Sequence, residues 1–293
     1  MRRPSELSFF LLYSLICLIW GSTWLAIHIG TAAALPPFAA GGFRFLVATS
    51  LLWIYIWWKK IPLPGSAEKW RTVITIGLLS NAASFGIVYW TSQYIPSGLG
   101  AVIFGTMPLW TAAIAHYILP EDKLTKTKVF GIFVGVGGIV TIFFPQFSQL
   151  NESAFGPMAL LLLSPLVSGA SAVMTKHSTK EIPAVTINAI TTLVGATVLS
   201  ILAFIIEPVG SIKFTSSQLL PILYLSIMGT IVTFGIYFKL IKMTSAVTMS
   251  YVSVITPVIA VLLGWIILGE HLDIYEIGGS ALVLIGTAIS LRM

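Results

Sequence analysis

Charge is what this 293-residue chain has least of. Only 9% of its residues are Asp, Glu, Lys or Arg, against ~25% in a soluble domain, and that scarcity excludes an ordinary water-soluble globule. Its lone cysteine, Cys17, excludes an intramolecular disulfide. All ten carboxylates, from Glu6 to Glu276, fall in tails, in loops or at the ends of apolar stretches, so a midplane proton relay or acidic cation site is not expected. There is no Gly-x4-Gly-Lys-Ser/Thr loop to hydrolyse a nucleotide. No His/Glu metal motif or paired-acid constellation lies within an apolar run either, so neither a cofactor nor an enzymatic centre is expected.

What the chain has instead is continuous apolarity. Hydrophobic residues make up 57% of it, and the mean hydropathy is +0.96. Stretches of roughly 20 apolar residues, the length a helix needs to cross a bilayer, are read near 8–29, 38–58, 71–91, 97–119, 129–145, 157–175, 187–206, 217–238, 246–268 and 275–291. The continuous runs argue against barrel strands, which alternate. With the N-terminus placed in the cytoplasm, fourteen Lys and Arg fall in inner loops and tails, Lys213 alone falls outside, and Arg44 lies within a span. That asymmetry sets orientation and accounts for the net charge of +6 without a nucleic-acid partner. Arg2 and Arg3 before an apolar run ending at Ala32-Ala33-Ala34 have the outline of a cleaved signal peptide. The alternation of basic loops fits an uncleaved ten-span chain better.

The halves repeat each other. An offset of 149 pairs Phe85-Gly86-Ile87 with Phe234-Gly235-Ile236, Pro108 with Pro257, and Glu121 with Glu270. An offset of 148 pairs Gly131 and Gly138 with Gly279 and Gly286. Five spans per half is an odd number, so the second half must be inverted, the plan of a carrier with its site near the membrane midplane. The expected fold is an all-α integral membrane protein of ten transmembrane helices in two inverted five-helix repeats, residues 1–147 and 148–293. The junction, residues 146–156, is short and polar.

Several motifs carry a resemblance. Trp20-Gly21-Ser22-Thr23-Trp24, Pro36-Pro37-x5-Phe43-Arg44-Phe45 and Ile95-Pro96-Ser97-Gly98, followed by Thr256-Pro257-Val258 and Leu268-Gly269-Glu270, resemble the EamA-type drug/metabolite transporter superfamily over essentially the full chain. The resemblance implies a multi-pass protein of the bacterial cytoplasmic membrane with both termini inside and a central cavity. It implies export of a small metabolite, with amino acids and amphipathic solutes among the substrates of such proteins. The lipid bilayer and that solute are the expected partners, and a homodimer is one assembly open to the chain. A lipid-modifying membrane enzyme, a channel and a scaffold are the competing classes.

Arg44, roughly 9 Å below the outer boundary at 1.5 Å per residue, is read either as a cavity guanidinium for a carboxylate or phosphate or as a snorkelling structural residue. Trp20 and Trp24, one turn apart, are candidate cavity walls with Asn81, Ser84, Tyr89, Thr106 and Tyr251; hydroxyls and amides also serve simply as interhelical glue. Trp53, Trp57 and Trp58, and on the other side Trp90 and Tyr94, read as interfacial belts. His28, His116, Lys176 and Lys239 read as interfacial anchors. Gly98 and Gly105 belong to a small-residue stripe for close helix packing. Pro108 and Pro257 fall mid-span as expected kinks and hinges, freeing the carbonyls of Phe104 and Ser253.

Overall fold

The structure is a computed structural model that describes residues 6–32, 35–95, 97–120, 122–147, 154–208, 210, 216–268 and 273–291. All regular elements among them are helical. The first half comprises α1 (Glu6–Ala32), α2 (Pro37–Lys59), α3 (Ala67–Gly77), α4 (Phe85–Thr91), α5 (Ser97–Phe104), α6 (Met107–Ile118), α7 (Lys126–Ile142) and the short α8 (Phe144–Phe147). The second comprises α9 (Phe155–Leu161), α10 (Leu163–Ser178), α11 (Ala184–Ile206), α12 (Ser216–Ser226), α13 (Thr233–Leu240), α14 (Ala246–Ser250), α15 (Val252–Leu268) and α16 (Ile274–Leu291). Among the described residues, seven helical runs are long and apolar enough to cross a membrane, and shorter apolar stretches cover Leu7–Thr23 and Ile274–Ser290.

Local chemistry sets the helix ends. Ser66, Thr125 and Ser245 cap α3, α7 and α14 by accepting from Lys69 N, Lys128 N and Thr248 N. Pro36 and Pro183 precede α2 and α11 in nearly the same conformation (φ −57°, ψ 136° and φ −55°, ψ 139°), and both helices run 23 residues. Glu207, at the end of α11, accepts from Phe38 N and Ala39 N at 2.7 and 2.8 Å. It thereby ties the second half to the first turn of α2, where orphan N–H groups and the helix dipole favour a carboxylate.

Counterpart helices pack against each other and run antiparallel. Gly131 of α7 meets Gly286 of α16, and Gly138 meets Gly279, the crossed pattern of an approximate two-fold axis. A Cβ on Gly138 would stand 2.7 Å from Gly279 O, and one on Gly279 would stand 2.6 Å from Gly138 O, so only glycine permits this approach. The α2–α11 pair obeys the same rule: Gly42 touches Ser200, Gly195 touches Phe45, and Thr49 Oγ1 donates to Ala189 O at 3.4 Å. The remaining contacts come in reciprocal pairs, with α1 packing on α15 as α10 packs on α6. Large apolar side chains such as Trp57, Trp58 and Phe204 point outward, as lipid-facing positions require.

Two departures from the sequence reading follow from backbone geometry. Pro108 does not kink a continuous helix: the chain breaks at Gly105-Thr106, and Pro108 sits in the first turn of α6, where its missing N–H is harmless. Pro257 does lie inside α15, but the interruption in that span falls earlier, at Tyr251 between α14 and α15. The Ser253 carbonyl freed by Pro257 is met by Thr256 Oγ1 at 3.4 Å.

Neither composition nor the positions of the prolines marks the two widened turns of the backbone. α3 continues into α4, and α12 into α13, through π-helical segments at Leu78–Ser84 and Ile227–Val232. The second begins 149 residues after the first, the offset of the sequence repeat.

The glycine crossing yields a prediction. Gly286→Ala places a methyl 2.6 Å from Gly131 O, and separating α7 from α16 should cost about 1–3 kcal/mol, read as a lowered midpoint in thermal unfolding. Gly137→Ala, where nothing lies within 4 Å, should not lower the midpoint, since alanine is the better helix former.

Candidate functional site

A cavity of about 120 Å3 lies between α1, α2, the two π-interrupted spans, α10 and the broken spans α5–α6 and α14–α15. Helices α7, α11 and α16 do not line it. One wall is aromatic. Trp20 stands 5.2 Å from Phe234 and 5.6 Å from Tyr237, and Phe85 stands 6.0 Å from Phe234, centroid to centroid. The facing wall carries hydroxyls, with Ser80 and Ser84 beside Ser168 and Ser171 of α10, and Ser250, Ser253 and Thr256 following along the ninth span.

Arg44 is the only charged side chain in the lining among the described residues and is 1% exposed. Its Nε donates to Thr230 Oγ1 at 2.8 Å and its Nη2 to Gly229 O at 3.0 Å. The guanidinium carbon lies 4.8 Å from the Phe85 ring centroid and 5.3 Å from that of Phe45, so the cation rests against two rings that themselves meet edge to face at 5.5 Å. Among the described residues no carboxylate pairs with it.

The π segment explains why these donors converge. Widening a helical turn displaces carbonyls from their usual amide partners, and hydrocarbon offers no water in compensation. Trp20 Nε1 donates to Gly229 O at 3.2 Å, and Asn188 Nδ2 donates to Thr230 O and Ile231 O, both at 3.2 Å. Thr230 Oγ1 in turn donates to Leu225 O at 2.9 Å. Three helices thus hold one π segment. The matching segment is held differently: Ser164 Oγ donates to Ser84 O at 3.2 Å, while Ser84 Oγ lies 2.8 and 2.7 Å from Ser164 Oγ and Ser168 Oγ.

The candidates from sequence divide accordingly. Trp20, Arg44 and Ser84 line the cavity together. Asn81 is fully buried in the first π segment, with Oδ1 accepting from Ser80 Oγ and Nδ2 lacking a partner, but it is outside the lining. Tyr89 packs with Ala26, Leu35, Ala40, Ile222 and Leu225 rather than in the cavity. Tyr251 is buried in the core between α5, α7 and α15, and Thr106 donates to Ile103 O at the α5–α6 break; neither lines the cavity. The side chains of Trp24 and Gly98, with His28, Glu121 and Glu270, lie outside the described residues. His116 Nδ1 accepts from Leu124 N, which fixes it at the end of α6. Sequence reasoning missed Ser168 and Ser171, although Ser164, Ser168, Ser171 and Thr175 recur at helical spacing along one face of α10.

The same architecture is matched elsewhere. A model of the EamA-like transporter family fits residues 7–144 and again residues 156–292. The chain belongs to the EamA-like transporter family. It is therefore a multi-pass membrane transporter, with a small molecule as its cargo. The Uncharacterized transporter YoaV of Bacillus subtilis (strain 168) is 28% identical over 271 residues, covering 92% of each chain. The Uncharacterized inner membrane transporter YedA of Escherichia coli (strain K12) is 31% identical over 261 residues, covering 88% of this chain and 82% of its own. One crystal structure matches with a TM-score of 0.82 over 98% of this chain and 97% of its own at 18% identity, a likeness of fold alone.

Near the ends of α10 and α13 in this EamA-like transporter two lysines are drawn in. Lys176 Nζ donates to Lys242 O at 3.3 Å, and Lys242 Nζ donates to Ile182 O. Burial pushes the Lys242 ammonium down to about 8. Nearby, the Lys69 ammonium holds the exposed Glu181 carboxyl below its ordinary value. Because the unfolded chain keeps Lys242 protonated up to about 10.4, it binds more protons than the folded protein between those values, and stability should rise with pH there. A thermal-unfolding series from pH 7.5 to 9.5 should show that rise in the wild type and a flatter profile in Lys242→Met.

Proposed function

We propose that this protein is a secondary carrier that exports a small organic metabolite, an amino acid or related amphipathic or aromatic solute, across a bacterial cytoplasmic membrane by alternating access. The observation that carries the reading is the buried guanidinium of Arg44 in an aromatic cavity whose lining has no acid among the described residues. An unpaired cation in low dielectric is costly, so the solute that fits best brings a carboxylate to it. The rings of Trp20, Phe85, Phe234 and Tyr237 supply apolar contact to the rest of the solute.

Two five-helix halves, 1–147 and 148–293, would rock about this site in the manner of inverted-repeat carriers. Both termini are assigned to the cytoplasm from the distribution of Lys and Arg. The breaks at Gly105-Thr106, just before Pro108, and at Tyr251, a turn and a half before Pro257, are where each broken span would flex, with Gly98 at the start of the first. The cavity is complete within one chain, so transport does not require a homodimer. No cofactor, catalytic group or nucleic acid enters the reading.

Solute counterflow in proteoliposomes tests it, because a carrier shows counterflow, a channel shows unsaturated flux and a scaffold shows none. With a confirmed substrate, Arg44→Ala should lower the rate at least ~100-fold, the scale of losing a charge-assisted contact of about 3 kcal/mol, while folded protein remains in the membrane. Arg44→Lys keeps the charge but loses the fork geometry and should retain partial activity. Transport that survives Arg44→Ala contradicts the assignment of a carboxylate to this residue.

A further inference from the structure

The hydroxyls around the cavity have traceable protons. Thr23 donates to Trp20 O at 2.7 Å, Ser250 to Val247 O at 2.7 Å and Ser253 to Ser250 O at 2.8 Å. Each bond runs back one helical turn. A hydroxyl carries one proton and two lone pairs, so these three present oxygen acceptors. Ser171 and Tyr237 keep uncommitted protons among the described lining residues.

The serine cluster is more constrained. It contains three contacts: Ser84 Oγ to Ser164 Oγ, Ser84 Oγ to Ser168 Oγ, and Ser164 Oγ to Ser84 O. It also contains three hydroxyl protons, and one assignment satisfies every contact. The Ser164 proton goes to the Ser84 carbonyl, the Ser84 proton to Ser164 Oγ, and the Ser168 proton to Ser84 Oγ. Ser164 is fully buried behind the lining, whereas Ser84 and Ser168 form part of it. Ser168 Oγ ends this directed chain with its lone pairs uncommitted, since it makes no other hydrogen bond among the described residues.

A hydroxyl held as an acceptor recognises a donor. The π faces of Trp20, Phe234 and Tyr237 also favour a cation. We infer that the Ser168–Ser84–Ser164 chain is an acceptor subsite for a protonated amine, so that the preferred solute is a zwitterion whose ammonium meets Ser168 while its carboxylate compensates Arg44. The inference rests on the carrier reading above and adds the amine as a recognised group. Ser164 acts through Ser84 and Ser168, as a positioning residue.

The test uses the full-length protein with two probes, phenylalanine and 3-phenylpropanoate, which is the same acid without its amine. Thermal-shift titration of the wild type should give about tenfold tighter binding of phenylalanine, the scale of one hydrogen bond to a charged donor. Ser168→Ala should erase most of that preference while leaving 3-phenylpropanoate within about twofold of its wild-type affinity. Ser164→Ala leaves Ser168 in place but removes the acceptor for the Ser84 proton. Ser84 then donates to Ser168, whose own proton turns to the cavity, and phenylalanine binding alone should weaken. Size-exclusion profiles check that each variant is folded. Equal wild-type affinity for the two probes, or a preference that survives both serine variants, overturns the amine subsite and leaves the carrier reading standing. Binding of neither probe by a preparation that performs counterflow of another solute overturns the zwitterion itself.

Discussion

A carbonyl buried in hydrocarbon has to be given a donor by the protein, because the membrane gives none. Much of the centre of this molecule follows from that requirement. The π segment Ile227–Val232 turns backbone carbonyls out of the helical ladder, and Trp20, Arg44 and Asn188 arrive from three other helices to meet them. Arg44 is held in place by this backbone demand and by Thr230, and the same bonds leave its charge at the edge of the cavity with no acid beside it. The cavity's electrostatic character is thus a consequence of how a widened helical turn is satisfied.

Symmetry builds the scaffold, and departures from it build the site. The glycine pairs Gly131–Gly286 and Gly138–Gly279 and the α2–α11 contact treat both halves alike. The π segments do not. Thr230 and Asn81 stand at positions 149 residues apart, yet Thr230 receives Arg44 while the Nδ2 of Asn81 has no partner. Serine hydroxyls from α10 hold the first π segment where an arginine from α2 holds the second. One side of the cavity therefore donates through a cation and the other accepts through hydroxyls, a polarity that a perfectly symmetric repeat would not have.

Much of the fold was legible in the order of residues. Continuous apolar runs gave the spans, the Pro, Glu and Gly matches gave the repeat, because such residues match rarely by chance in apolar sequence, and the odd number of spans per half gave the inversion. The π segments were not legible, since one extra residue in a turn changes no composition. The rotation of each span was not legible either. Helices that are apolar on every side carry no phase to say which face meets the cavity, so Ser84 and Arg44 were placed beside Asn81, Tyr89, Thr106 and Tyr251, which face elsewhere. Ser168 escaped for the same reason: serines along a membrane helix read equally as glue. What set the faces was packing, such as the closeness of Gly195 to Asn81, where a Cβ on the glycine would lie 2.8 Å from the asparagine Cβ.

The central claim is that Arg44 and Thr230 act as a coupled pair clamping the π segment. A double-mutant cycle measures this directly, from the unfolding free energies of wild type, Arg44→Gln, Thr230→Val and the double variant in mixed micelles. A coupling energy of about 1 kcal/mol is predicted, within the range for interhelical hydrogen bonds in membranes and raised by the charged donor. Additive single effects would contradict the account and reduce Arg44 to a residue that merely lies near the segment.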